Sequence, residues 1–182
     1  MTFSIGRSTF IILILTRSSK IRENYWFIAD VMIGKIAKKL MILGFDTIYI
    51  SSNITDREIL ELLMKTKRIL LTSDKELFYR SKQYKCDSII INKNTEIENL
   101  ITIFSNLEIK VIDTLLSCHR CSICNNKLEI IEDRNLVINK VYQTVIKNNN
   151  EFYKCKRCNK LYWHGSHIKN IILLIDRINK ML

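Results

Sequence analysis

Two sets of side chains in this 182-residue sequence have the types and spacing to do chemistry. The first is a trio of carboxylates. Asp30 ends the apolar run Tyr25-Trp26-Phe27-Ile28-Ala29, and Asp56 and Asp74 stand at two later junctions where a strand pattern gives way to a helix pattern. Carboxylates gathered at one place repel one another, and a divalent cation relieves that cost. The second set is Cys121-Ser122-Ile123-Cys124 and Cys155-Lys156-Arg157-Cys158, each followed by a similar tail, Asn125-Asn126-Lys127-Leu128 and Asn159-Lys160-Leu161-Tyr162. Two CxxC knuckles repeating one pattern predict four thiolates, Cys121, Cys124, Cys155 and Cys158, around a tetrahedral Zn²⁺. Cys118-His119-Arg120-Cys121 is also a CxxC, so Cys118 competes as a ligand, as do His119, His164 and His167. The repeat favours Cys121 and Cys124. A site closed by four ligands keeps no open position, so this zinc is expected to be structural.

The elements around Asp30 must place it at a sheet edge. The apolar run before it predicts a central strand buried on both faces. Ile33, Ile36, Ala37, Leu40, Met41 and Leu43 then recur at helical spacing, with Gly44 where a left-handed cap residue belongs. Thr47 to Ile50, Arg68 to Thr72 and Ser88 to Ile91 read as further strands. Thr55-Asp56-Arg57-Glu58 and Thr95-Glu96-Ile97-Glu98 are capping boxes that start helices, and another helix follows Asp74, from Lys75 to Tyr84. Strands alternating with helices imply parallel βαβ units, and in such a sheet ligands bind beyond the carboxyl ends of the strands. All three acids are then expected on one edge. Residues Ser166 to Leu182 carry an apolar stripe behind a serine cap and are expected to pack back on the protein.

Composition narrows the partner. Hydrophobic residues make up 47% of the chain, enough for a core, and the formal net charge is +11, which favours an anionic partner. Twelve of the 29 Lys and Arg but only five of the 18 acids lie from Leu116 onward. Phe10 to Leu15 is too short an apolar run to cross a bilayer and lacks a small-residue cleavage site, so a cytoplasmic protein with no membrane partner is expected. Cysteines in tight pairs also argue for metal over a secreted disulfide framework. Lys35 and Lys38 fit either a solvated helix face or a stripe of phosphate contacts. Lys154, Lys156, Arg157 and Lys160, interleaved with Phe152, Tyr153, Tyr162 and Trp163, either offset the −2 charge of a four-thiolate zinc site or grip phosphates and stack bases.

These segments, from Phe27-Ile28-Ala29-Asp30 through Gly34-Lys35, Leu43-Gly44-Phe45-Asp46, Thr55 to Leu60 and Ile69 to Leu77, and on through both CxxC pairs and Tyr162-Trp163-His164-Gly165-Ser166-His167, resemble the Mut7-C ribonuclease domain, a family of PIN-like nucleases. The resemblance implies a PIN-like three-layer α/β domain with a parallel central sheet, a small zinc-ribbon module and a C-terminal helix. It implies activity on RNA with Mg²⁺ or Mn²⁺ bound by acids. Asp30 matches the first-strand acid, Asp56 the acid opening the later helix and Asp74 the acid of the Thr-x-Asp motif, while Glu76 stands where many PIN-like proteins carry a further acid. No counterpart is present for the Glu that longer PIN domains place between the first and third acids.

The expected organisation is an extension over residues 1–24, either frayed or an added edge strand, a nuclease domain over 25–113, and a zinc ribbon with an amphipathic helix over 114–182. The leading expectation is a metal-dependent ribonuclease acting on single-stranded RNA. Asp30 and Asp74 ligate the metal, and Asp56 or Glu58 completes the site. Lys35, Lys38, Lys156, Arg157, Lys160 and Trp163 contact RNA. Homodimers fit too, since many PIN-like domains pair. The alternatives are a non-catalytic RNA-binding or ribosome-associated protein on the same fold, and a DNA-binding regulator that uses the ribbon.

Overall fold

A computed structural model of the chain describes residues 24–51, 54–91, 94–112 and 119–182. The expectations for residues 1–23, for Cys118 and for the boundary at Thr114 lie outside the described residues. Four parallel strands, β1 (Trp26–Ala29), β2 (Asp46–Tyr49), β3 (Ile69–Thr72) and β4 (Ser88–Ile90), form a sheet in the order β2-β1-β3-β4. They alternate with α1 (Gly34–Ile42), α2 (Asp56–Thr66), α3 (Lys75–Gln83) and α4 (Glu96–Asn106). Phe27, Ile28 and Ala29 are fully buried, which fits a central strand, but Trp26 at its start is 48% exposed.

Side-chain alternation along the strands builds two cores. Phe27, Ala29, Leu71 and Ile89 face α1 and α4, where Phe45 packs between Phe27 and Phe104 with ring centroids 5.7 and 5.9 Å away. Ile28 and Leu70 face the other way, onto Ile59, Leu60 and Leu63 of α2 and Leu77 of α3. The sheet is thus covered on both faces, as a parallel sheet must be.

The capping signals fold as their chemistry dictates. Thr55 and Thr95 each accept the N–H of the glutamate three residues on, and that glutamate reaches back to the threonine N–H. Gly44, at φ 92°, ends α1 in the left-handed conformation while Phe45 N–H returns to the Leu40 carbonyl.

The C-terminal part is a second, antiparallel sheet of β5 (Leu128–Ile130), β6 (Phe152–Cys155) and β7 (Leu161–Trp163), in that order. Two short helices, α5 (Asn135–Ile138) and α6 (Gln143–Asn148), fill the connection between β5 and β6. The last helix, α7 (Ser166–Asn179), drives Ile168, Ile171, Ile175 and Ile178 into the core formed by α1 and α4. Its Asn179 side chain clips both the N–H and the carbonyl of Ile112. The cap residue of α7 is Gly165, with no side-chain hydrogen bond, and not the expected Ser166, which is the first helical residue.

Candidate active site and metal centre

Asp30 leaves the carboxyl end of β1 and Asp74 follows the carboxyl end of β3. These two strands are neighbours at the point where strand order reverses, the position at which open α/β sheets bind ligands. The Asp30 side chain is 6% exposed. Its Oδ2 accepts the Thr72 hydroxyl at 2.6 Å and its Oδ1 the Met32 N–H at 3.3 Å. That second bond caps a 3-10 turn over Val31–Ile33, an element that the helical spacing after Asp30 did not predict. The same Thr72 oxygen accepts the Asp74 N–H at 2.9 Å. One buried hydroxyl therefore holds both acidic residues. Thr72 was visible in the sequence only as part of a Thr-x-Asp pattern. A polar side chain at the last position of a buried strand is the signal that could have singled it out.

Asp74 caps α3, with Oδ1 taking the N–H groups of Glu76 and Leu77. Its Oδ2 has no hydrogen-bond partner among the described residues. Ser73, next to Asp74 in the chain, has its Oγ buried with no hydrogen-bond partner among the described residues. Asp56 opens α2 and pairs through Oδ2 with Arg80 of α3 at 3.0 Å. Glu58 Oε2 accepts both the N–H and the hydroxyl of Thr55, bonds that hold its carboxyl below the usual range. Asp30 and Asp74 are thus linked through Thr72, whereas Asp56 and Glu58 are engaged by Arg80 and by the helix cap.

Beside this edge runs an open groove of about 580 Å³, lined by Met32, Lys35, Lys38 and Tyr49 among others. Tyr49 lies across Gly34, where an added Cβ would meet its hydroxyl at 2.7 Å. The Tyr49 hydroxyl donates to the Val31 carbonyl at 3.1 Å.

The cysteines converge fully. The sulfurs of Cys121, Cys124, Cys155 and Cys158 all lie within 4.8 Å of one another, the one such group of three or more ligand side chains among the described residues. His119 and His164 stand outside it. The repeated tails now have a cause. Asn125 and Asn159 both adopt left-handed backbone, φ 62° and 60°, and each sends its N–H to the carbonyl of the first cysteine of its knuckle at 2.8 Å. Asparagine tolerates that conformation better than most residues. Both knuckles close the same way, Cys121 N–H to Asn126 and Cys155 N–H to Lys160.

Tyr162 sits behind the quartet. Its hydroxyl lies 3.1 Å from the Cys121 sulfur and accepts the Ser122 N–H at 3.1 Å. Burial alone would raise the Cys121 thiol, but the Tyr162 hydroxyl and the N–H groups of Cys124 and Ile123 outweigh it and bring it to about 6. Cys124 moves the other way, to about 12, through burial and the neighbouring Cys155, Cys121 and Cys158. Four sulfurs this close cannot all ionise without a cation among them, and their geometry and softness suit zinc.

Asp46, at the amino end of β2, joins the two halves. Arg68 Nη1 and Asn125 Nδ2 reach its Oδ1 at 2.8 and 2.9 Å, and Arg120 Nη2 its Oδ2 at 3.2 Å. Burial works to raise this carboxyl, yet the bonds from Arg68 and Asn125 and the charges of Arg120 and Arg68 leave it lowered. Asn125 also accepts the Thr47 N–H of β2 at 3.1 Å. None of these partners was singled out by the sequence.

The family model of the Mut7-C RNAse domain matches residues 25–175, which take in the acid edge and the cysteine quartet. The chain belongs to this family. A search of curated proteins and one of solved structures returned no match. Membership in the Mut7-C RNAse domain family brings with it a ribonuclease-type function and RNA as the substrate. Among the described residues, no helix is long and apolar enough to cross a membrane.

Proposed function

We propose that this Mut7-C protein is a metal-dependent ribonuclease that hydrolyses phosphodiester bonds of single-stranded RNA at the Asp30–Asp74 edge. The observation that carries the reading is the buried Asp30 carboxylate tied through the Thr72 hydroxyl to Asp74, at the switch point of a chain in this family. The residues suit Mg²⁺ or Mn²⁺. Asp30 and Asp74 offer hard oxygen donors, and the hydroxyl of Ser73, next to Asp74 in the chain, is buried with no partner among the described residues. A divalent cation held by Asp30 and Asp74 would polarise the phosphoryl oxygens and lower the pKa of a bound water.

The remaining work falls to the chain. Thr72 fixes the Asp30 carboxylate in one orientation, and Met32 N–H fixes its other oxygen. Asp56, held in its ion pair with Arg80, would serve as the third acid once a cation or substrate draws it away, and Glu58 stands next to it on the same helix turn. Lys35 and Lys38 line the groove that leads to this edge and would hold phosphates there. On the ribbon, Lys156, Arg157, Lys160 and Trp163 would add contacts to the same RNA. Zinc in the cysteine quartet would keep that surface in place. In this reading residues 25–113 carry the chemistry and part of the substrate grip, and residues 114–182 extend that grip.

A second reading, a non-catalytic RNA-binding protein, draws on one observation. Asp30, Asp56 and Asp74 do not converge as the cysteines do, and Asp56 is occupied by Arg80. Cleavage of end-labelled single-stranded RNA by the zinc-loaded protein, with Mn²⁺ or with EDTA added at the moment of assay, separates the two. Cleavage that needs Mn²⁺ and is lost in a folded Asp30→Asn variant with full zinc content is the expected result. Tight RNA binding with no cleavage under any metal would decide for the binding protein.

A further inference from the structure

At the far end of α1 from the acids, a second cavity lies between the ribbon and the α/β core. It holds about 240 Å³ and is walled by Ile42 of α1, Tyr162 and Trp163 of β7, and Gly165 and Ser166 at the start of α7, with Ser122 and Lys160 also lining it. Its walls are mainly apolar and aromatic with a few polar groups, the make-up of a small-molecule site. It is smaller than the roughly 300–1,000 Å³ of pockets for drug-sized ligands, so it has room for one ring system and no more.

Both aromatic walls are fixed beforehand. The Tyr162 hydroxyl is anchored at Cys121 and Ser122, which sets its ring. The Trp163 indole rests on Gly165, where an added Cβ would meet Nε1 at 2.8 Å. Lys160 Nζ sits 5.4 Å above the Tyr162 ring. The first turn of α7, whose Gly165 and Ser166 line the pocket, has no side-chain cap hydrogen bond. A flat ring with an attached anion matches this set of groups.

The position of the pocket selects among such ligands. Lys35, Lys38 and Ile42 are spaced i, i+3 and i+7, so they share one face of α1. Lys35 and Lys38 line the groove beside Asp30, and Ile42 lines the pocket. The helix face between them covers about 10 Å at 1.5 Å per residue. One basic face thus leads from the acid edge to an aromatic cavity.

Building on the ribonuclease reading, we propose that this cavity takes a single unpaired nucleobase of the RNA substrate. The base stacks on Trp163 and Tyr162, and the strand runs along α1 past Lys38 and Lys35 to the cleaved bond. Stacking accepts any base face, so the pocket selects for strandedness more than for sequence. A base held in a duplex cannot enter.

The chain has two tryptophans, Trp26 and Trp163, so a Trp26→Phe variant leaves Trp163 as the only indole reporter. Combined with Asp30→Asn to stop cleavage, the full zinc-loaded protein is titrated with a single-stranded RNA oligonucleotide and with the duplex of the same sequence. Fluorescence reports the pocket and anisotropy of labelled RNA reports total binding. The expected result is saturable Trp163 quenching by the single strand and at least tenfold weaker quenching by the duplex. Trp163→Leu should weaken single-strand binding by about 5- to 150-fold, the range for loss of one stacked base. Gly165→Ala, which pushes against the indole, should weaken it in the same direction at unchanged zinc content. RNA binding without any change in Trp163 emission, equal quenching by the duplex, or no RNA binding at all would overturn the proposal. Cleavage by the native protein alongside a silent Trp163 sinks the pocket alone. Quenching without cleavage sinks the nuclease reading alone.

Discussion

Replacing Asp46 by alanine tests how the ribbon is held on the sheet. The carboxylate is 22% exposed and its two arginine partners 16% each, so water screens them only in part. Removing one partner of a buried ion pair costs about 3–5 kcal/mol, and a single hydrogen bond to a charged group is worth about 1.5–3 kcal/mol. Partial exposure places Asp46→Ala near the lower end of the first range, about 3 kcal/mol, because two arginines and Asn125 all lose the same acceptor. For a chain of this size each kcal/mol moves Tm by about 2–4 °C, so the variant should melt about 6–12 °C lower. Thermal unfolding of the zinc-loaded protein by circular dichroism measures this. The pH dependence gives a second check. The Asp46 carboxyl is lower in the folded chain than in the unfolded one, so its contribution is complete above about pH 4 and is lost as pH falls through the folded value. The melting curves of the native protein and Asp46→Asn should therefore differ most at neutral pH and draw together below about pH 4. A drop of less than about 2 °C in Asp46→Ala, or a gap that widens in acid, would refute the joint as described.

Three further outcomes follow from the site. Thr72→Val removes the hydroxyl that joins Asp30 to Asp74, and should cost about 1–3 kcal/mol in denaturant unfolding and at least tenfold in RNA cleavage, with Thr72→Ser restoring most of both. Glu58→Gln should weaken the cap of α2 by a few tenths of a kcal/mol and leave cleavage within about twofold; a large loss of cleavage at unchanged stability would instead place Glu58 in the chemistry. Tyr162→Phe removes the hydroxyl beside Cys121, and competition with a chromogenic chelator should show zinc held about 10- to 100-fold less tightly, with one zinc per chain still bound at saturation.

The elements around the acids were legible because their signals are local. An acid ending an apolar run, a Thr three residues before a Glu, and a glycine after a helical stripe each act within one turn, and Asp30, Thr55 and Gly44 fold as those patterns say. The two CxxC knuckles carried their own register in the repeat that follows them. What the sequence hid depends on distance along the chain. Asp46 meets Arg68, Arg120 and Asn125 across separations from 22 to 79 residues, and no periodicity reports such a meeting. The helices α5 and α6 span only four and six residues, too short for a helical period to show. Ser166 looked like a cap because serine favours that position, but helical backbone already begins at Ser166, and the cap is Gly165, whose missing Cβ leaves the Trp163 indole its close seat. In the candidate site, the acid types were readable and their partners were not. That Arg80 would take Asp56 and Thr72 would serve both Asp30 and Asp74 depends on how α2, α3 and β3 meet.

The docked knuckle has a bearing on solubility. β2 is an outer strand of the parallel sheet, and such a strand offers a row of backbone groups to any passing chain. Here the Thr47 N–H is already taken by Asn125, and Asp46 beside it is clamped by Arg68 and Arg120. The knuckle that carries Asn125 therefore works as a guard over the open edge. Stripping its metal would free the guard along with the ribbon, and the bared strand would then be available for pairing between molecules. Metal-starved protein should accordingly be found in the insoluble fraction, and light scattering on addition of a chelator should rise before the helices of the α/β core melt.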